Sequence, residues 1–360
     1  MTRIIFAGGG TAGHVEPALA VARQWMKSHP ATEILFLGTS SGLENRLVPE
    51  AGFELALITK VRISRKISPS LLTVPFSLIR SVADALTILK GADLLVGFGG
   101  YVSGPAYIAA LLRRTPIVIH EANARPGISN KLGALFTRHT AIAYPVGRGK
   151  LSHALLAGLP LRPDVDAAFH SSEKDWVEAR NEAKARIGFS ASKPVIFIFG
   201  GSQGSVALNS VIQSARAELS QQGLQVLHSV GAQNNLPESD SSYKAVSYIS
   251  DMASAYLAAD LIISRSGAVS CSEINTLGRY ALFIPLPVGN GEQELNALTL
   301  VSESRAEIIA QKLFTASWLT QNISRLLLES SKAPVAGSRK DIDASSKMTS
   351  LMEFALAGGK

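Results

Sequence analysis

The chain is poor in cysteine: Cys271 stands alone among 360 residues. A single thiol forms no internal disulfide and builds no cysteine-rich zinc site, so the count gives no sign of an oxidising compartment. A clean export signal is also lacking, because the apolar run from Met1 to Ala7 is short and passes at once into glycines. One long uncharged stretch, Leu94 to Leu112, has the length of a membrane span. Gly97, Gly99, Gly100, Gly104 and Pro105 interrupt it, so strand, loop and helix are expected there.

Acid is scarce in the first half. Residues 1–160 hold 17 Lys and Arg against 8 Asp and Glu, a net +9, whereas residues 161–360 carry −2. The asymmetry suggests an anionic partner for the first half, a bilayer surface or a nucleic acid, with plain surface solubility as the bland alternative.

What is present is an α/β pattern written twice. A composition of 46% hydrophobic and 18% charged residues over this length suits two domains with sizeable cores. Strands are expected at Ile4–Ala7, Ile34–Leu37, Leu55–Ile58, Leu94–Val96, Ile117–Ile119 and Thr140–Ala143, separated by helix-like segments, which implies a parallel sheet. Near Gly158–Pro163 the alternation gives way to a polar segment, Asp164–Asn181. It restarts with Val195–Phe199, Val226–Val230, Ala245–Ser247, Leu261–Ser264 and Ala281–Pro285. A helix beyond Asn322 to Ser331 and an amphipathic segment, Ala344–Leu356, follow, and the tail Gly358-Gly359-Lys360 is expected to fray. The expected organisation is a domain over 1–160, a second over 161–340, and a C-terminal helix and tail over 341–360.

Two glycine turns follow strands. Gly8, Gly10 and Gly13 satisfy GxGxxG, where exposed helix N–H groups can meet a phosphate. A nicotinamide site would add an acid at the end of the second strand, but that strand ends Leu37-Gly38-Thr39. His14 follows the turn at the carboxyl edge of the sheet, and two readings stand: a general base, or a residue that only packs the first helix. Gly200-Gly201-Ser202-Gln203-Gly204 repeats the device in the second half, with the Ser202 hydroxyl as a further donor.

Further candidates lie at other strand ends. Arg265 to Glu273 offers small residues at a helix start for a diphosphate. Glu273 is placed for ribose hydroxyls, or else is a plain surface acid. Arg162 is either a leaving-group stabiliser or an exposed linker arginine. Glu292, Gln293 and Asn296 share a helix face suited to sugar hydroxyls. In His120-Glu121-Ala122-Asn123 the asparagine could bind a sugar or the acceptor, while His120 has a buried structural reading. Asp164-Val165-Asp166 is formally a DxD and is given no metal role. Arg62, Arg65, Lys66 and Arg80 interleave with Ile63, Ile67, Leu71, Leu72, Val74, Phe76, Leu78 and Ile79; this suits an anionic bilayer face or, alternatively, a buried helix with solvated flanks.

Taken in order, Gly9 to His14, Gly99 to Pro105, His120 to Asn123, Gly200 to Gly204 and Arg265 to Glu273 resemble the MurG family of transferases. The resemblance implies a GT-B fold, two Rossmann-like parallel-sheet domains facing a cleft. It further implies transfer of N-acetylglucosamine from UDP-N-acetylglucosamine to the undecaprenyl-diphosphate-linked N-acetylmuramoyl-pentapeptide, at the cytoplasmic face of the membrane. The donor would meet Arg162 and Ser202 at its diphosphate, Ile249 at uracil, and Ala268, Val269, Ser270, Cys271, Ser272 and Glu273 along phosphate and ribose. Gln293 would meet the sugar, with Thr11, Ala12, Gly13 and Asn123 completing the site. Gly99, Gly100, Tyr101, Ser103 and Gly104 would form an acceptor-diphosphate loop, and His14 would be the catalytic base. No metal, cofactor or nucleic acid is implied, and an anionic membrane surface is. Two departures are visible: Leu159-Pro160-Leu161 stands where the family often has Asn-Pro before the arginine, and Glu292 stands where glutamine is frequent. The rivals are a diacylglycerol glycosyltransferase, a sugar-nucleotide 2-epimerase and a non-catalytic nucleotide-binding membrane protein.

Overall fold

The computed structural model describes residues 1–61 and 74–358, so the expected basic and apolar stretch lies outside it from Arg62 to Leu72, as do Gly359 and Lys360. The described chain forms two compact units, Met1–Arg162 with Asp341–Lys360, and Pro163–Lys340.

The first unit is a seven-stranded sheet: β1 (Arg3–Gly8), β2 (Glu33–Gly38), β3 (Glu54–Leu57), β4 (Leu94–Gly99), β5 (Ile117–Glu121), β6 (Thr140–Ile142) and β7 (Leu155–Leu156). Its order is β3-β2-β1-β4-β5-β6-β7, and every pair is parallel, with Ile4 opposite both Ile34 and Leu94. Side chains alternate along β1. Ile4 and Phe6 join a core with α1 (Ala12–Ser28) and α13 (Ala344–Leu356), through Val15, Leu19, Trp25, Met348 and Met352. Ile5 and Ala7 face the opposite core with α3 (Val74–Ile88) and α4 (Gly100–Arg113), through Ala85, Val102, Ala106 and Tyr107. Burial on both faces is why the parallel strands read as near-continuous apolar runs. The C-terminal segment is therefore part of the first unit's core, although its sequence position placed it as a separate tail.

The second unit holds β8 (Val195–Phe199), β9 (Gln225–Ser229), β10 (Tyr243–Val246), β11 (Leu261–Ser264), β12 (Ala281–Phe283) and β13 (Ala306–Ile308), in the order β10-β9-β8-β11-β12-β13. Ile196, Ile198, Leu261 and Ile263 pack against α8 (Val206–Gln221) and α12 (Ala316–Lys332). Three expectations shift. The polar segment after Arg162 is two helices, α6 (Pro163–Lys174) and α7 (Trp176–Ile187), the second started by the Asp175 carboxylate accepting from Glu178 N at 2.9 Å. Helix α12 begins before Asn322 because Thr315 caps it, accepting from Trp318 N at 3.1 Å. Strand β10 starts two residues earlier than expected, since Asp240 gathers the N–H groups of Ser242 and Tyr243 at 2.7 and 2.9 Å and starts the pairing there.

In each sheet the strand order reverses at one place, between β1 and β4 in the first and between β8 and β11 in the second. Loops leaving such neighbours turn to opposite faces and open a crevice at the carboxyl edge, where ligands of open α/β sheets bind. The glycine turns sit at these two points.

Candidate functional site

In the first unit the turns after β1 and β4 touch. Gly10 has φ +95°, and a Cβ there would lie 2.5 Å from the Tyr101 ring. Gly100 has φ +80°, and a Cβ there would fall 2.4 Å from the Gly9 carbonyl oxygen. Only glycine meets both demands. Beneath the turns lies Glu44, fully buried at the start of α2 (Glu44–Glu50). Its carboxylate accepts from Gly10 N at 2.9 Å, Thr39 N at 3.0 Å and the Tyr101 hydroxyl at 3.2 Å. A Cβ on Gly42 would come within 2.0 Å of that carboxylate. Sequence reasoning missed Glu44.

His14 stands in the first turn of α1, partly exposed, with Nδ1 3.1 Å from Thr11 Oγ1 and the Gly9 carbonyl accepting from the ring. Burial holds its pKa below the ordinary histidine value, against the upward pull of the Glu121 and Glu44 carboxylates. The imidazole is thus neutral near pH 7. An Nδ1–H directed at these oxygens leaves the lone pair on Nε2.

The end of β5 is a closed network. Glu121 accepts from Asn123 N at 2.9 Å and Asn123 Nδ2 at 3.2 Å through one oxygen, and from Gly127 N and Asn130 Nδ2, both at 3.0 Å, through the other. The Tyr107 hydroxyl donates to Asn130 Oδ1 at 2.7 Å. Asn123 is thereby held half-exposed at the carboxyl edge. His120 is fully buried, and since a carbonyl only accepts, its Nε2 carries the proton donated to Gly158 O at 2.8 Å.

Gly99 to Pro105 is not a free loop. Gly99 and Gly100, at φ +89° and +80°, reverse the chain within two residues, so α4 begins at Gly100 and contains Gly104 and Pro105. Ser103 is buried, accepting from Gly99 N at 3.1 Å with its hydroxyl 2.8 Å from the Ala7 and Gly99 carbonyls, so it ties β1 to β4. Arg162 is not an exposed linker arginine: its side chain is mostly buried and pairs with Glu16 Oε1 at 3.9 Å, two residues along α1 from His14.

In the second unit the turn after β8 has Gly201 at φ +90° and Gly204 at φ +75°, and leaves Ser202 half-exposed. A Cβ on Gly204 would strike Val230 O at 2.0 Å. That carbonyl accepts from Asn209 Nδ2 at 2.9 Å, which turns Asn209 Oδ1 toward His228 Nε2–H at 3.0 Å. His228 Nδ1 then accepts from the Tyr243 hydroxyl at 2.7 Å, whose oxygen accepts from Gln213 Nε2 at 2.7 Å. Both ring nitrogens of buried His228 and the Tyr243 hydroxyl are thus satisfied, and burial lowers the His228 pKa to about 4.

Helix α10 (Ala268–Thr276) starts at Gly267 without a side-chain cap, and Gly267, Val269 and Ser270 are half-exposed at its opening. Ser266 Oγ is buried there with no partner among the described residues. Cys271, Ser272 and Glu273 point inward instead. The Cys271 thiol is pushed up by burial, and Glu273 accepts from the Tyr256 hydroxyl at 3.0 Å, so it is not a surface acid. Arg265 is a clasp: it donates to Ile284 O at 2.9 Å, Pro285 O at 3.2 Å, Ser205 Oγ at 2.9 Å and Gln311 Oε1 at 2.5 Å. On α11 (Glu292–Ser302), Gln293 Oε1 accepts from Leu286 N at 2.9 Å, and buried Asn296 donates to Ser266 O at 3.3 Å. Glu292 accepts from Asn290 N at 3.2 Å, a loop contact. Ile249 is half-exposed just before α9 (Met252–Ala258).

The chain matches the glycosyltransferase family 28 N-terminal domain over residues 4–142 and the C-terminal domain of that family over residues 195–353. It is 42% identical over 353 residues, 94% of this chain and 95% of its relative, to a UDP-N-acetylglucosamine–N-acetylmuramyl-(pentapeptide) pyrophosphoryl-undecaprenol N-acetylglucosamine transferase of Streptomyces coelicolor. The chain belongs to the MurG branch of glycosyltransferase family 28. A relative of the same name from Mycobacterium sp. strain KMS is 43% identical, covering 91% of this chain and 88% of its own. The crystal structure of Acinetobacter baumannii MurG aligns with a TM-score of 0.67 at 27% identity, over 98% of this chain and 99% of that one. UDP-GlcNAc 2-epimerase of Neisseria meningitidis, at 13% identity, 98% and 100% coverage and a TM-score of 0.60, shares the fold alone. The two Rossmann-like parallel-sheet units are those of a GT-B glycosyltransferase.

Within this family-28 chain, the first unit gathers Thr11, Ala12, Gly13, His14, Gly99, Gly100 and Tyr101 at its switch point, with Asn123 at the end of β5. The second gathers Gly200 to Ser205 and Gly267 to Ser270 at its own. Glu44, Glu121, Asn130, Arg265 and His228 support these edges from below. The signals of Glu44 and His228 were weak because each is one polar residue whose partners lie on other elements, 34 and 57 residues away for Gly10 and Tyr101 on Glu44.

Proposed function

We infer that the chain transfers N-acetylglucosamine from UDP-N-acetylglucosamine to an undecaprenyl-diphosphate-linked N-acetylmuramoyl-pentapeptide in peptidoglycan synthesis. The observation that carries this reading is the identity of 42% over 94% of the chain with a relative named for that transfer. His14 Nε2 takes the acceptor hydroxyl proton as the oxygen attacks the anomeric carbon in line, and UDP departs with inversion. Charge building on the diphosphate meets the Ser202 hydroxyl, the Arg162 guanidinium and the N–H groups that open α10. Ile249 lies against uracil, Gln293 and Asn123 bind sugar hydroxyls, and the start of α4 receives the acceptor diphosphate. No metal is needed in this scheme. Buried Cys271, Ser272 and Glu273 shape the ribose side from behind, and Ser103 holds the acceptor edge in place.

The acceptor is lipid-linked, and the protein would work on the cytoplasmic face of an anionic membrane as a peripheral enzyme. No helix among the described residues is long and apolar enough to cross a membrane. Phe76 and Ile79 on α3 are 77% and 68% exposed, Leu111 and Leu112 on the neighbouring α4 are 48% and 64% exposed, and Arg80, Arg113 and Arg114 surround them in sequence. Apolar side chains among arginines, in the half that carries +9, fit an acidic lipid surface. Replacing His14 by Ala tests the mechanism. Transfer should fall by about 10²- to 10⁴-fold while UDP still binds the second unit, and near-normal turnover would remove His14 from the chemistry.

A further inference from the structure

The second unit has a cavity on the side of its sheet away from the glycine turns. Pro194, Asp260 and Arg279, which stand just before β8, β11 and β12, line it, so it opens at the amino-terminal edge. It measures about 390 Å³, and Trp176 and Val177 of α7, Leu327 of α12 and Val335 give it an apolar wall. That is the size range of small-molecule sites and more room than a bare inorganic anion fills.

Its charge is unbalanced. The Asp260 carboxylate pairs with Arg180, takes Lys184 Nζ at 3.2 Å and accepts from Val195 N at 2.8 Å, so it is spent. Arg305 is near and has its own partner, Glu303 at 3.5 Å. Arg279 has no direct partner of this kind: it feels the Asp260 carboxylate only at longer range, against the repulsion of Arg180 and Arg305. It is 6% exposed, its guanidinium lies 4.1 Å from the Trp176 ring centroid, and its Nε and Nη1 are enclosed with no acceptor among the described residues. Burial lowers its pKa to about 10, which leaves it charged near pH 7. One carboxylate thus faces Arg180, Lys184 and Arg279; a buried cation so poorly compensated is costly to a fold, and a site that takes an anion repays that cost when filled.

We propose that this cavity binds a small organic anion, a phosphate or carboxylate on an aromatic or aliphatic body, with Arg279 on the oxyanion and Trp176, Val177 and Leu327 against the body. The planar N–H donors of arginine match such oxyanions. Because the cavity lies at the opposite edge of the sheet from the Gly200 and Gly267 turns, its ligand does not compete with a nucleotide there.

Phenyl phosphate is the probe, followed by calorimetry and by tryptophan fluorescence in the full chain, with and without saturating UDP. The expected result is saturable binding that UDP does not displace, stronger than that of inorganic phosphate, and weakened by about tenfold or more in Arg279→Met. That variant should melt at or above the wild-type temperature, since it removes an unpaired buried charge. Should the methionine variant not fold, Arg279→Lys keeps the charge but loses the planar donors, and the same weakening is expected. Absence of saturable binding, displacement by UDP, equal binding of inorganic phosphate, or unchanged affinity in both variants would each overturn the proposal.

Discussion

At the scale of single residues, the first unit places one histidine among carboxylates that control it. Burial lowers the His14 pKa, and Glu44 and Glu121 oppose that shift. Replacing Glu44 by Gln removes part of the opposition, so the His14 pKa should drop further and the acid limb of the transfer profile should move to lower pH. The same change also turns an amide N–H toward Gly10 N, Thr39 N or Tyr101, so kcat should fall as the turn shifts. A pH profile of kcat/KM separates the two effects: an unmoved acid limb would mean that Glu44 acts only as a prop. His14 was legible in the sequence because it abuts a glycine turn. Glu44 was not, since no local pattern marks a carboxylate that folds back on N–H groups from other elements.

At the scale of elements, the positions that cannot tolerate change are those where two turns touch. Gly10→Ala would force an alanine to φ +95° and drive its Cβ to 2.5 Å from Tyr101. The conformational strain alone is about 1–2 kcal/mol, to which the contact adds; a shift of the urea midpoint measures it, and an unchanged midpoint would show that the turn is not rigid. Helix α13 makes a different prediction. Met352 is fully buried in the core formed with β1 and α1, so Met352→Ala should cost about 2–5 kcal/mol, read as earlier unfolding of the first unit. The strands were readable because burial on both faces leaves continuous apolar runs. The short β7 and β13 were not, for two or three residues such as Leu155–Leu156 carry no period and owe their state to the neighbour they pair with. The return of α13 to the first unit was hidden for a like reason: an amphipathic stripe says that a face is buried, not against what.

At the scale of the whole molecule, buried neutral histidines set an acid limit. His228 has a folded pKa of about 4 against 6.5 when unfolded, and His14, His120 and His139 are lowered in the same direction. Between these values the unfolded chain binds more protons, so stability is complete above pH 6.5 and is lost as the pH falls toward 4. For His228 alone the loss at pH 4 is about 3 kcal/mol, and it belongs to the second unit. Urea unfolding at pH 7 and pH 4.5 should show it, whereas equal midpoints would mean that His228 is not held neutral. The family was legible from five motifs in order, while the buried networks that hold them came only with the fold. The central claim is the transfer itself. Radiolabelled UDP-N-acetylglucosamine should be supplied with undecaprenyl-diphosphate-linked muramoyl-pentapeptide, with diacylglycerol, and with no acceptor. Label passing into the first lipid alone is the predicted result. Label on diacylglycerol, or conversion of the donor without acceptor, would contradict it.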